Sequence, residues 1–188
     1  MSENDWDREV DVLVVGTGNG GLTAAVCNWE MGSKDVLIIE KQDKVGGTSA
    51  MSGGGIWIPN SHYAQEAGAE DSLDDAKRYL INTLFGEDVP EDMIDTYLEK
   101  SPEMLKFLHD RTDVRYESLA EYPDYYTNME GARAGHRSLE PSPIMASELG
   151  DNWKNMTWTH FMMRMFNRIH FTQVEAHLLM VQLPGWKK

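Results

Sequence analysis

Two short apolar blocks stand near the start of the chain, Val10–Val15 (VDVLVV) and Val36–Ile39 (VLII). Runs of that length, rich in β-branched side chains, predict strands buried on both faces, as in a parallel sheet. Between them the apolar positions change period. Leu22, Ala25, Val26 and Trp29 are spaced for one face of a helix from Gly20 to Met31, with Gly32 as its stop. Strand, helix and strand make a βαβ unit of about 30 residues, which crosses over right-handed.

Past Glu40 the pattern loosens. A Gly-rich stretch, Val45 to Gly55 (VGGTSAMSGGG), leads into a short apolar segment, Ile56-Trp57-Ile58, closed by Pro59. Ser72 is then placed to cap a helix carrying Ala76, Tyr79, Leu80 and Leu84 on one side, with Asp74 and Asp75 in its first turn. Pro90-Glu91-Asp92 opens a second helix, and Ser101-Pro102-Glu103 a third with Pro at its first position. Tyr116 to Pro143 mixes Tyr, Pro and Gly without a period and predicts loop with short strands. Thr157 to Asn167 reads as helix. Met156, Met162, Met163, Met165 and Met180 fall with Phe161, Phe166 and Phe171 at roughly helical intervals, as core or as the edge of a channel for an apolar molecule. Thr172-Gln173-Val174-Glu175 is a capping box that starts a last helix towards Leu183. The fold class is therefore α/β: a Rossmann-like βαβ unit with its Gly-rich loop over 1–60, then a mostly helical segment over 61–188.

Composition narrows the chemistry. With 188 residues the length suits one domain, and 17 Lys plus Arg against 31 Asp plus Glu leave a net charge of −14. Nucleic-acid affinity rests on neutralising phosphates with basic side chains, so an acidic chain without a dense basic cluster predicts no such partner. The single cysteine, Cys27, excludes an internal disulfide and a Cys-rich metal site, fits as a small buried hydrophobe, and points to the cytoplasm. Six histidines lack ligand spacing, so no metal is expected. No apolar run reaches the roughly 18 residues of a membrane span.

The strongest motif is Gly16-Thr17-Gly18-Asn19-Gly20-Gly21, a G-x-G-x-x-G directly after a strand and opening a helix. Gly16 permits the tight turn, Gly18 lets backbone approach a pyrophosphate, and Gly21 lets helix lie close to strand. The pyrophosphate would sit on free N–H groups at the positive end of the helix, so no basic side chain is required. Glu40, at the tip of the second strand, is placed to accept hydrogen bonds from a ribose diol. A structural turn without ligand is the competing reading. After Glu40 and Lys41, the clusters Gly46-Gly47 and Gly53-Gly54 with Thr48, Ser49 and Ser52 between them suit a long cofactor whose second half continues along backbone. A flexible Gly/Ser loop is the alternative there.

The segment EKxxxxGGTSAxSGGGIWIPN, from Glu40 to Asn60, resembles the FAD-binding flavoproteins of the fumarate reductase and 3-ketosteroid dehydrogenase group, particularly the 3-oxosteroid 1-dehydrogenase-like branch. Tyr122-Pro123-Asp124-Tyr125-Tyr126, Gly135-His136-Arg137-Ser138-Leu139-Glu140-Pro141 and the tail from Glu175 to Trp186 are similar to later segments of that branch. The resemblance implies FAD, held with Gly16, Gly18, Asn19, Gly20 and Gly21 at the pyrophosphate and Glu40 at the adenosine ribose. Gly47, Thr48 and Ser49 would contact the phosphate and ribityl side, with Ser52 to Gly54 near the isoalloxazine. Thr48 follows Gly46-Gly47 where covalent flavoproteins carry His, which implies non-covalent FAD. The implied reaction is hydride transfer between flavin N5 and the carbon β to a ketone in an apolar, ketosteroid-like substrate, with a tyrosine as base. Tyr116, Tyr122 and Tyr125 are the candidates for that base against a reading as packed aromatics, and alignment on Pro-Asp-Tyr puts Ala120 at the family's position.

Two parallel strands with one crossover cannot close a doubly wound core. The expectation is therefore the N-terminal part of an FAD-binding domain, with the substrate domain absent. The alternatives are a truncated, inactive remnant that binds FAD weakly or not at all, and a small NAD-binding module.

Overall fold

The computed structural model describes residues 6–157, 164–165, 169–172 and 174–175. The chain divides into two compact units: Met1–Ser52 with Ile144–Met162, and Gly53–Pro143 with Met163–Lys188.

In the first unit, β1 (Val12–Val15) and β2 (Val36–Ile39) pair in parallel, Val12 opposite Val36 and Val15 opposite Ile39, joined by α1 (Asn19–Glu30). The expected βαβ unit is present. Gly32 ends the crossover helix at φ 115°, a left-handed turn that glycine adopts without strain. The strands are not buried on both faces, however. Val14 packs inside, while Leu13 is 54% exposed and Val15 75%. A single crossover helix covers one face of a sheet, and among the described residues the apolar side chains of Leu13 and Val15 on the other face stay exposed. The Gly-rich stretch holds an unexpected short helix, α2 (Gly47–Met51). A 3-10 helix, Ala146–Asn155, returns to this unit, where the Val45 N–H donates to the Asn155 carbonyl at 2.8 Å and the Val45 carbonyl accepts from the Thr157 N–H at 2.7 Å.

The second unit holds β3 (Ile56–Trp57), α3 (His62–Glu66), α4 (Leu73–Thr83), α5 (Glu91–Arg111), β4 (Tyr116–Ser118) and β5 (Ser138–Pro141). The strands form an antiparallel sheet in the order β3-β5-β4. Ser72 caps α4 as its sequence indicates, its hydroxyl accepting from the Asp75 N–H at 3.1 Å. Pro102 does not start a helix; α5 runs through it. Ile94, Leu98, Leu105 and Leu108 lie along one buried face, and this continuous stripe outweighs the roughly 3 kcal/mol that an internal proline costs.

Thr157 to Asn167 also departs from expectation, because β6 (Arg164–Met165) pairs antiparallel with β7 (Ile169–His170). Ile169, in β7, is β-branched and favours a pleated backbone over a helix. The helical spacing read into the methionines fails with it at Met165. Met162, Met163, Met180, Phe161 and Phe166 lie outside the described residues, as does the rest of the helix towards Leu183. The capping box is formed: Thr172 and Glu175 exchange bonds between side chain and backbone at 2.9 and 3.1 Å.

The second unit is organised around Arg137, 1% exposed. Its guanidinium donates to both carboxylate oxygens of Asp71 at 2.8 and 2.9 Å, to Asp124 at 2.8 Å and to the Gly131 carbonyl. It also lies 5.7 Å from the Trp57 ring and 5.8 Å from that of Tyr79. Burial opposes its charge, and Asp71 and Asp124 more than offset that, holding its pKa above the ordinary value. Removing one member of so buried a pair strands the others. Arg137→Met should lower the urea-unfolding free energy by about 3–5 kcal/mol.

A half-buried aromatic cluster holds a histidine, His62. The His62 ring lies against Tyr63 (centroids 4.0 Å apart) and edge-on to His109 (5.0 Å), with both its nitrogens buried and unpartnered. Burial, then the charge of His109, pushes its pKa below the ordinary 6.5, while Glu66 and Asp110 oppose them and Lys106 assists. Neutral His62 is thus favoured in the fold. The stability this contributes is full above about pH 6.5, the unfolded value, and is lost as pH falls towards the lowered folded one. Urea midpoints should fall as pH drops below about 6.5 in the wild type, with a flatter limb in His62→Phe.

Candidate functional site

The candidate site in the first unit begins where β1 ends. Gly16 turns the chain at φ 96° and donates to the Ile39 carbonyl at 2.7 Å, tying the turn to β2. A Cβ placed on Gly21 would stand 2.2 Å from the Gly16 carbonyl oxygen, so helix and turn approach as only glycine allows. The start of α1 follows directly. Gly18 at its N-cap offers no capping side chain, and no acid stands in the first turn although the chain carries 31 Asp and Glu. Such an end presents N–H groups and the positive pole of the helix dipole.

A cavity of about 670 Å³ opens here, lined by Val15, Gly16, Thr17, Gly18, Ile39, Glu40, Lys41, Gln42, Gly47 and Thr48. Six residues singled out in the sequence therefore meet on one cavity: Gly16, Gly18, Glu40, Lys41, Gly47 and Thr48. Ser49 stands beside them, its hydroxyl accepting from the Asn19 N–H at 3.0 Å. The Ser52 hydroxyl donates to the Ser49 carbonyl at 2.8 Å. Gly20 has open space around it. Gly53 and Gly54 belong to the second unit, where a Cβ on Gly54 would come 2.8 Å from Pro141. Packing accounts for that glycine.

Thr17 was not singled out as a site residue, yet it connects the parts. It is 5% exposed; its N–H donates to Glu40 Oε2 at 3.0 Å, and its hydroxyl makes a short hydrogen bond to the same oxygen. The hydroxyl also accepts from the Gly46 N–H at 2.9 Å. The signal was a hydroxyl between two glycines, a position the fingerprint leaves open. Glu40 Oε1 accepts from the Gln42 N–H at 3.1 Å. The Thr17 hydroxyl, then the backbone N–H groups of Gln42 and Thr17, hold the Glu40 carboxyl below its ordinary pKa, so it is ionised and acceptor-only at neutral pH.

The three tyrosines lie in the second unit and in different settings. Tyr116 is in β4 against the cluster of Ile58, Leu105 and Leu139, where burial pushes its phenol up, the wrong direction for a base. Tyr122 is half-buried, and Tyr125 is 83% exposed. Cys27, in α1, is half-buried, and burial pushes its thiol up. Among the described residues no group of three or more His, Cys, Asp or Glu is placed to hold a metal, and no helix is long and apolar enough to cross a membrane.

The sequence profile of the family described as FAD binding domain matches residues 11–183. The chain belongs to this family. It is similar to the 3-oxosteroid 1-dehydrogenases of Mycolicibacterium smegmatis (39% identical over 149 residues, 79% of this chain and 26% of the relative) and Mycobacterium tuberculosis (41% over 143 residues, 76% and 25%). The crystal structure of 3-ketosteroid delta1-dehydrogenase from Sterolibacterium denitrificans in complex with 1,4-androstadiene-3,17-dione matches with TM-score 0.86 and 38% identity, over 94% of this chain and 31% of that one. The chain spans about a quarter of the length of the curated relatives it matches. It corresponds to the FAD-binding domain of a flavin oxidoreductase like the 3-ketosteroid dehydrogenases.

The residues present fit the ADP half of FAD. Gly18 lines the cavity, and a Cβ there would meet nothing closer than the Ser49 hydroxyl at 3.5 Å. Packing therefore does not demand this glycine, whose smallness leaves the cavity clear where helix N–H groups begin. Gly21 and Gly20 give the contrasting test. Gly21→Ala should cost about 1–3 kcal/mol in urea unfolding by forcing α1 off the turn. Gly20→Ala, with open space around it, should be neutral or stabilise by up to about 1 kcal/mol.

Proposed function

We propose that this FAD binding domain holds the cofactor by its ADP half. The uncapped, acid-free start of α1 against the cavity carries the reading. Gly16, Gly18, Gly20 and Gly21 let backbone approach the pyrophosphate, Asn19 stands among them with its N–H on the Ser49 hydroxyl, and ionised Glu40 accepts from the adenosine ribose. Lys41 stands at the cavity rim beside Glu40, while Gly46, Gly47, Thr48, Ser49 and Ser52 face the phosphate and ribityl side. NAD shares the ADP half, but the family match favours FAD.

The chemistry that FAD supplies when bound is acceptance of a hydride at flavin N5. We take the hydride donor to be the carbon β to a ketone in an apolar, steroid-like molecule, because the similar proteins are 3-oxosteroid dehydrogenases. None of Tyr116, Tyr122 and Tyr125 is assigned as the base for the α proton. The exposed apolar face of β1 and β2 favours a second reading, in which this chain by itself takes up FAD only weakly.

Absorbance decides between them. Purified protein, or protein mixed with FAD and freed of excess, should show two flavin bands between about 350 and 500 nm. A colourless protein after added FAD would sink the first reading.

A further inference from the structure

We infer that Thr17 is a positioning residue of the cofactor site, whose hydroxyl holds Glu40 and Gly46 in register for the adenosine end of the dinucleotide. The inference rests on the FAD-site reading above and concerns a residue that reading does not use.

Thr17 Oγ1 stands between two groups that approach from different parts of the unit. It donates to Glu40 Oε2 at the end of β2, and it accepts from the Gly46 N–H at the start of the Gly-rich loop. A hydroxyl can do both at once, whereas a methyl group of the same size can do neither. The hydroxyl is buried, so either partner left without it loses a bond that water does not readily replace. Glu40 gains direction from this arrangement. Its Oε2 is taken by the Thr17 N–H and hydroxyl, and Oε1 by the Gln42 N–H. Three bonds fix the carboxylate plane and leave Oε1 acceptor capacity towards the cavity that Glu40 lines. On the other side, Gly46 sits at φ 111°, and a Cβ there would stand 2.6 Å from Ala50. The loop start is thus confined by its own packing, and the hydroxyl ties that confined point to the acid.

The test is FAD affinity by fluorescence titration of the 188-residue chain, with circular dichroism to confirm folding. Thr17→Val should bind FAD at least about tenfold more weakly than wild type. Thr17→Ser, which keeps the hydroxyl, should stay within about threefold. In a Glu40→Gln background Thr17→Val should add less than about a further twofold, because the two act as one unit. Exchange of the Gly46 amide should be slow in wild type and Thr17→Ser and fast in Thr17→Val, a readout that needs no cofactor. The inference is overturned if Thr17→Val binds like wild type, if Thr17→Ser is as weak as Thr17→Val, or if the losses multiply in the double variant. Should Thr17→Val fail to fold, fast Gly46 exchange in wild type or weak binding by Thr17→Ser overturns it equally. Wild type that takes up no FAD removes the site reading, and the inference with it.

Discussion

The close approach of Gly21 to the Gly16 carbonyl governs the first unit. With 2.2 Å between that oxygen and a Cβ on Gly21, no other residue lets α1 begin so near the end of β1. The rest of the candidate site follows from this one contact. It puts the uncapped helix end beside the tip of β2, which brings Glu40 within reach of Thr17 and, through Thr17, of Gly46.

The second unit solves a different problem. Its two small apolar clusters are supplemented by a buried charge, Arg137, clasped by Asp71 and Asp124 and flanked by Trp57 and Tyr79. Asp124 also accepts from Trp57 Nε1 at 2.7 Å and from the Arg133 N–H at 2.9 Å. One carboxylate thereby joins β3, the irregular segment around Arg133 and the start of β5. This explains how the Tyr- and Gly-rich stretch from Tyr116 to Pro143 keeps a definite path with little regular structure. A network of this kind fixes geometry more than it adds stability.

The βαβ unit was legible because its signals are local: an apolar block, a glycine turn, a helical stripe. Ser72 and the Thr172–Glu175 capping box were legible for the same reason, each satisfying backbone donors within three residues. What escaped the sequence was tertiary. Pro102 looks like a helix start until the buried stripe on either side shows that α5 must continue. Nothing near Arg137 in sequence announces Asp71 as its partner. At the site, the fingerprint glycines and Glu40 could be named, but Thr17 occupies a position the fingerprint leaves free, and only the fold brings Gly46 to it. Gly54 carries a constraint its neighbours in sequence do not announce, since a Cβ there would come 2.8 Å from Pro141.

Among the described residues β1 pairs only with β2, so its outer edge carries backbone donors and acceptors beside the bare side chains of Leu13 and Val15. An edge of that kind is a template on which a second extended segment can add. Copies of the same chain are one source of such a segment, and a net charge of −14 on each opposes their approach. That protection is electrostatic and therefore conditional: at about 0.15 M salt it reaches only some 8 Å. The acidity that first argued against a nucleic-acid partner thus also acts as a guard on an open strand, one that weakens as ionic strength rises.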